Sequence, residues 1–130
     1  MRARFVVADD APFLRELIRN ILSAEGCICV GEAANGDEAI RLVQEALPDL
    51  IFLDMVMPVR NGLEAARAIK ELHPEVKIMG VSTLDTPDLI KQAMNAGFDD
   101  YLVKPFTREQ IIDQVTKLLM QQGESSHGRT

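Results

Sequence analysis

The chain has 130 residues, enough for one ordinary domain that buries roughly two thirds of the surface its unfolded form exposes. With 47% hydrophobic and 26% charged residues it has the composition of a soluble globular protein, which excludes disorder, collagen-like repeats and a coiled coil. A net charge of -6 argues against a surface built to neutralise nucleic-acid phosphates or anionic lipid, and suits a protein or metal partner.

Short apolar runs recur with room for a helix between them, the pattern of β-α units around a parallel sheet. Met1 to Arg4 leads straight into a first strand, Phe5 to Ala8, with no signal-peptide core, and no apolar run is long enough to span a bilayer. A cytoplasmic protein is expected, with no nucleic-acid and no membrane partner. Phe13, Leu14, Leu17, Ile18, Ile21 and Leu22 then return at helical spacing, and Gly26 stops that helix. A second strand runs from Ile28 to Glu32. Cys27 and Cys29 alternate through its start, which places both thiols on one face as reduced, structural residues.

Ala39, Ile40, Val43 and Leu47 make the second helical stripe, ended by Pro48. The third strand is Leu50 to Leu53, the fourth Lys77 to Val81 after a helix stop at Pro74, and the fifth Asp100 to Val103 after Gly97. Thr86 before Pro87 reads as an N-cap followed by proline at the first helical position. Thr107 with Gln110 reads as a capping box ahead of Ile111, Ile112, Val115, Leu118 and Leu119. The expected fold is a doubly wound α/β sandwich, a five-stranded parallel sheet flanked by five helices, over residues 1–120. Residues 121–130, QQGESSHGRT, are expected to form a short polar tail.

In open α/β sheets the binding crevice lies beyond the carboxyl ends of the strands. Asp9 and Asp10 follow the first strand, Asp54 the third, Ser82 and Thr83 the fourth, and Lys104 the fifth. Carboxylates gathered at one edge repel each other, so they must hold protons or bind a cation. An all-oxygen ligand set selects a hard ion, and Mg²⁺ suits a site where a few protein oxygens leave room for water and phosphate.

The segments ADDA (8–11), LDMVMPVRNG (53–62), VST (81–83) and YLVKPF (101–106) stand in the order and spacing of the receiver domains of two-component response regulators. The chain resembles that family, and within it the single-domain, CheY-like proteins with a flavodoxin-like fold, from about Arg4 to Leu119. The resemblance implies that Asp54 accepts a phosphoryl group from a sensor histidine kinase. It implies Mg²⁺ bound by Asp10 and Asp54 directly, by Asp9 through water, and by the backbone carbonyl of Val56. It also implies that Lys104 contacts the phosphoryl oxygens, that Ser82 supplies the switch hydroxyl, that Tyr101 is the aromatic switch residue and that Pro105 follows a cis peptide bond. Thr83 stands where a small Ala or Gly is common, which narrows access for phosphodonors.

On that resemblance the protein is a monomeric phosphoacceptor that promotes its own phosphorylation, and is not an enzyme acting on a separate substrate; Val56 and Leu84, apolar where many relatives carry polar groups, offer a hydrolytic water no hydrogen-bond partner and predict slow self-dephosphorylation. ADDAPFLRELIRNIL (8–22) and GEAANGDEAI (31–40) resemble chemotaxis-type proteins, implying a flagellar motor switch component as output partner. A partner surface around Asp88, Lys91, Gln92, Asn95 and Gln114 is expected. The alternatives are a phosphorelay carrier or a receiver fragment of a larger regulator. A dehalogenase-like phosphatase would carry a second Asp at position 56, where Val stands. A flavin protein would need a phosphate loop after the first strand, and a P-loop is absent from the sequence.

Overall fold

The computed structural model describes the backbone of residues 2–128 and the side chains of residues 2–120. Strands β1 (Arg4–Ala8), β2 (Ile28–Ala33), β3 (Leu50–Asp54), β4 (Lys77–Ser82) and β5 (Asp100–Val103) alternate with helices α1 (Pro12–Ala24), α2 (Gly36–Ala46), α3 (Gly62–Leu72), α4 (Pro87–Ala96) and α5 (Arg108–Gly128). All strand pairs are parallel, in the order β2-β1-β3-β4-β5. The chain reverses its direction of travel across the sheet after β2, so the crevice above β1 and β3 is the topological switch point.

Because successive strand side chains face opposite sides, each strand feeds two cores. Phe5, Val7, Leu50, Phe52, Met79, Val81 and Leu102 meet Ile18, Ile21 and Leu22 of α1 and Ile111, Val115 and Leu118 of α5. Val6, Ala8, Ile51, Leu53 and Ile78 meet Ala39 and Val43 of α2, Ala65, Ala66 and Ile69 of α3, and Ala93 and Ala96 of α4. Phe5 and Phe52 pack edge to face, with centroids 6.2 Å apart and planes at 85°. Cys27 and Cys29 both belong to the α1/α5 core, and neither is in a disulfide.

The helix boundaries follow their punctuation. Thr86 accepts the Leu89 N–H, and Thr107 and Gln110 bond reciprocally as a capping box. Asn35 and Asn61 cap α2 and α3, and Asn61 forms a second capping box with Glu64. Two stripe residues depart from expectation. Leu14, Ile18, Ile21 and Leu22 form the i, i+4, i+7, i+8 face of α1, and Phe13 lies off it, 76% exposed. Leu47 leaves α2 in the left-handed region, with φ 47°, and is exposed.

The helical backbone of α5 runs to Gly128, into the segment read as a polar tail. An established helix gains one hydrogen bond for each residue added, so it continues readily through Met120, Gln121 and Gln122. The side chains of 121–130 and the backbone of 129–130 lie outside the described residues. No helix among the described residues is long and apolar enough to cross a membrane.

Candidate functional site

Each strand that ends at the switch point hands over from apolar core to polar side chain within a residue or two. The Asp9 N–H donates to the Ala33 carbonyl (3.0 Å), extending the β1 ladder one residue and fixing Asp9 at the sheet's edge. Asp54 is the last residue of β3, and Ser82 the last of β4. Asp9, Asp54 and Ser82 are 2%, 7% and 3% exposed, the three buried polar residues among those described. Asp10 is exposed. One carboxylate oxygen from each of Asp9, Asp10 and Asp54 lies within 4.8 Å of the other two.

Lys104 reaches into this cluster from the end of β5. Its Nζ lies 3.1 Å from Asp9 Oδ2 and 3.6 Å from Asp54 Oδ2. The other oxygens take backbone donors: Ala11 N–H to Asp9 Oδ1 (2.8 Å) and Val56 N–H to Asp54 Oδ1 (3.1 Å). Burial, above all, pushes the Asp54 carboxyl up from its ordinary 3.8 to about 6, and the Asp9 charge adds to the rise. The Val56 N–H and the Lys104 ammonium oppose it without cancelling it.

These residues fit Mg²⁺. Three carboxylates face one ammonium, which leaves two negative charges, the charge of one divalent cation. The donors are all oxygens, and the exposure of Asp10 leaves the cluster open to water and to a phosphoryl group. Val56 presents its backbone at this rim while its side chain points outward, 64% exposed.

Ser82 and Tyr101, expected from the sequence to act as a switch, are joined through the backbone of one residue. Ser82 Oγ accepts the Leu84 N–H (3.1 Å), and the Leu84 carbonyl accepts the Tyr101 O–H (2.7 Å). The half-buried Tyr101 ring packs on the α2/α3/α4 core beside Gly80. Leu84 thereby links the two residues that the sequence pairs as a switch, a role its side-chain type gives no sign of. Thr83 is exposed, and the Lys104–Pro105 peptide is cis. Of the expected partner surface, Asp88, Lys91, Gln92 and Asn95 are exposed on α4. Gln114 is half-buried and donates to the Tyr101 carbonyl (3.0 Å), so it ties α5 to β5.

The sequence model of the response regulator receiver domain matches residues 5–116. The chain belongs to that family. It is 37% identical to the chemotaxis protein CheY of Halobacterium salinarum, an alignment covering 92% of this chain and 98% of that protein. It is also 37% identical to the transcriptional regulatory protein ResD of Bacillus subtilis, over 95% of this chain and 51% of that longer protein. The solved receiver domain of the putative response regulator NarL from Mycobacterium tuberculosis superposes with a TM-score of 0.85 at 33% identity, covering 89% of this chain and 94% of that one. Equal identity to a chemotaxis protein and to half of a transcriptional regulator assigns the receiver and not its output.

Proposed function

We propose that this receiver domain is a phosphorylation-dependent switch in which Asp54 takes a phosphoryl group from the phosphohistidine of a sensor kinase, in the cytoplasm and with Mg²⁺. The observation that carries the proposal is the Asp54 carboxylate itself: buried at a strand end, 3.6 Å from Lys104, inside a cluster two negative charges in excess. An Asp54 oxygen forms the new bond to phosphorus, and the electron pair of the broken P–N bond returns to the imidazole. Charge in the loose transition state spreads over the peripheral oxygens, so catalysis is mainly positioning and cations. Lys104 supplies one cation, already aimed between Asp9 and Asp54. Bound Mg²⁺ supplies further neutralisation of the phosphoryl oxygens. The partly raised Asp54 pKa means that the nucleophilic, ionised form increases as pH rises through about 6.

The Ser82–Leu84–Tyr101 chain supports a two-state readout. A phosphoryl oxygen on Asp54 offers the Ser82 hydroxyl a charged acceptor. Movement of Ser82 then carries the N–H of Leu84, and with it the next peptide, where the Leu84 carbonyl holds Tyr101. The population shifts between arrangements of the surface formed by α4, β5 and α5. We take the output to be a protein partner in chemotaxis or motility control, such as a motor switch component, bound by a monomeric receiver. The likeness of residues 8–22 and 31–40 to chemotaxis-type sequences supports this.

A second reading, a phosphorelay carrier, draws on Val56 and Leu84, two exposed apolar side chains beside the site. Neither offers a hydrogen bond to a hydrolytic water, so the acyl phosphate should persist long enough to be passed on. Label transfer from candidate kinases, with Asp54→Asn as control, tests the acceptor. Following the label separates the two outputs: a motor component captures the phosphorylated protein, whereas a relay partner takes the label onto its own His.

A further inference from the structure

We propose that Arg15 is a positioning residue for the acidic cluster, acting through the Asp9–Asp10 peptide. The inference rests on the reading of Asp9, Asp10 and Asp54 as the metal-holding group. Arg15, on the first turns of α1, is half-buried and forks between two partners. Its Nη1 donates to the Asp9 carbonyl oxygen (2.6 Å), and its Nε donates to Glu32 Oε1 (3.2 Å) near the end of β2. Glu32 is held from its other oxygen by Arg19, so the guanidinium is oriented before any ligand arrives.

Asp9 has both carboxylate oxygens engaged, by Ala11 N–H and Lys104. Asp10 is exposed, and no described hydrogen bond or ion pair orients its carboxylate. Its placement therefore depends on the backbone. The peptide unit from Asp9 Cα to Asp10 Cα is planar, so a charge-assisted bond to the Asp9 oxygen fixes the plane that carries Asp10 Cα. On the far side of Asp10 the Ala11 N–H is held by Asp9 Oδ1 (2.8 Å), so Arg15 fixes the peptide that enters Asp10 and Asp9 fixes the one that leaves it.

Positioning and electrostatics give opposite signs, which makes the idea testable. Arg15 as a mere nearby cation would repel Mg²⁺, and its removal would tighten binding. Arg15 as a positioner favours the metal, and its removal loosens binding. Glu32 offsets its charge at 3.2 Å, so positioning is expected to dominate.

The test is Mg²⁺ titration of the full chain, followed by the backbone amide shifts of residues 9, 10 and 54, with metal-free melting curves recorded alongside. Arg15→Ala should weaken Mg²⁺ about ten-fold, the scale on which groups behind a metal ligand act. Arg15→Lys keeps the charge and loses the fork, so it should also weaken binding, and Glu32→Gln should do so by a smaller factor. Lys and Gln variants with wild-type melting points keep the comparison valid if the Ala variant folds poorly. Affinity unchanged within two-fold, or tighter, in Arg15→Lys, the variant that keeps the charge, would overturn the role of Arg15. Absence of Mg²⁺ binding by the wild-type chain at millimolar concentration would instead overturn the reading of the site.

Discussion

Replacing Asp54 with Asn is expected to stabilise the metal-free protein at neutral pH. Burial, with the Asp9 charge, raises the Asp54 carboxyl from 3.8 to about 6. Between those values the folded state binds more protons than the unfolded one, so stability falls as pH rises. The decline begins above about 3.8 and is complete above about 6. A shift of roughly two units corresponds to about 3 kcal/mol. Asn keeps an oxygen for the Val56 N–H and removes the charge that repels Asp9, so about 1–3 kcal/mol should be recovered, or about 3–10 °C in melting midpoint. Calorimetric melts in EDTA at pH 4.5 and 7.5 measure it: the wild type should lose stability between the two relative to Asp54→Asn. Added Mg²⁺ should then stabilise the wild type and leave the variant little changed. A variant less stable than wild type at pH 7.5 in EDTA, or one with the same pH dependence, would refute this account of the buried charge.

Val59 sits in the left-handed region, φ 69°, with its side chain 79% exposed, so Val59→Asn should raise the urea midpoint by an amount equivalent to about 1 kcal/mol. A β-carbon on Gly62 would lie 2.2 Å from the Asp54 carbonyl oxygen. Gly62→Ala should cost about 2–3 kcal/mol by chemical unfolding and weaken beryllofluoride capture at Asp54, seen by fluorine NMR. Val56→Asn gives water a hydrogen-bonding group at the rim and should shorten the phosphoprotein lifetime about ten-fold or more, measured by loss of label without a phosphatase. Tyr101→Ala should leave phosphorylation intact while partner affinity ceases to respond to it, as read by binding titrations with and without beryllofluoride.

What could be read from the sequence is whatever burial writes into residue type. The uninterrupted apolar runs Phe5–Ala8 and Leu50–Leu53 mark strands covered on both faces, and Thr86 and Thr107 announce the helices they cap. The carboxylates, hydroxyl and ammonium were legible because each follows directly on an apolar run. What stayed hidden passes through backbone atoms, which every residue shares. Leu84 joins Ser82 to Tyr101 by its amide and carbonyl, and Arg15 grips a carbonyl of Asp9. Gly62 matters for the space it leaves against β3, and Phe13 fits the stripe's spacing yet packs against neither core. Strand order is likewise silent in residue type, since all the central strands are apolar on both faces.

The two edges of the sheet treat partly and fully buried charge in opposite ways. At the amino edge Lys70 Nζ lies 2.7 Å from Asp99 Oδ2 and donates to the Val76 carbonyl (2.7 Å), while the same Asp99 oxygen accepts the Ile78 N–H (2.8 Å). One cation meets one anion, and backbone groups complete both. At the carboxyl edge Lys104 reaches two of three clustered carboxylates, and the shortfall is borne by Asp54. A closed set of partners has no reason to respond to a ligand. An incomplete one does, and on the proposed function a divalent ion or a phosphoryl group would change which arrangement of the neighbouring Ser82–Leu84–Tyr101 chain is lowest in free energy. With the α3 and α4 ends anchored at the amino edge, the proposed switch predicts that a charge imbalance at the carboxyl edge is relieved in the β4–α4 loop, where Leu84 is held by two hydrogen bonds.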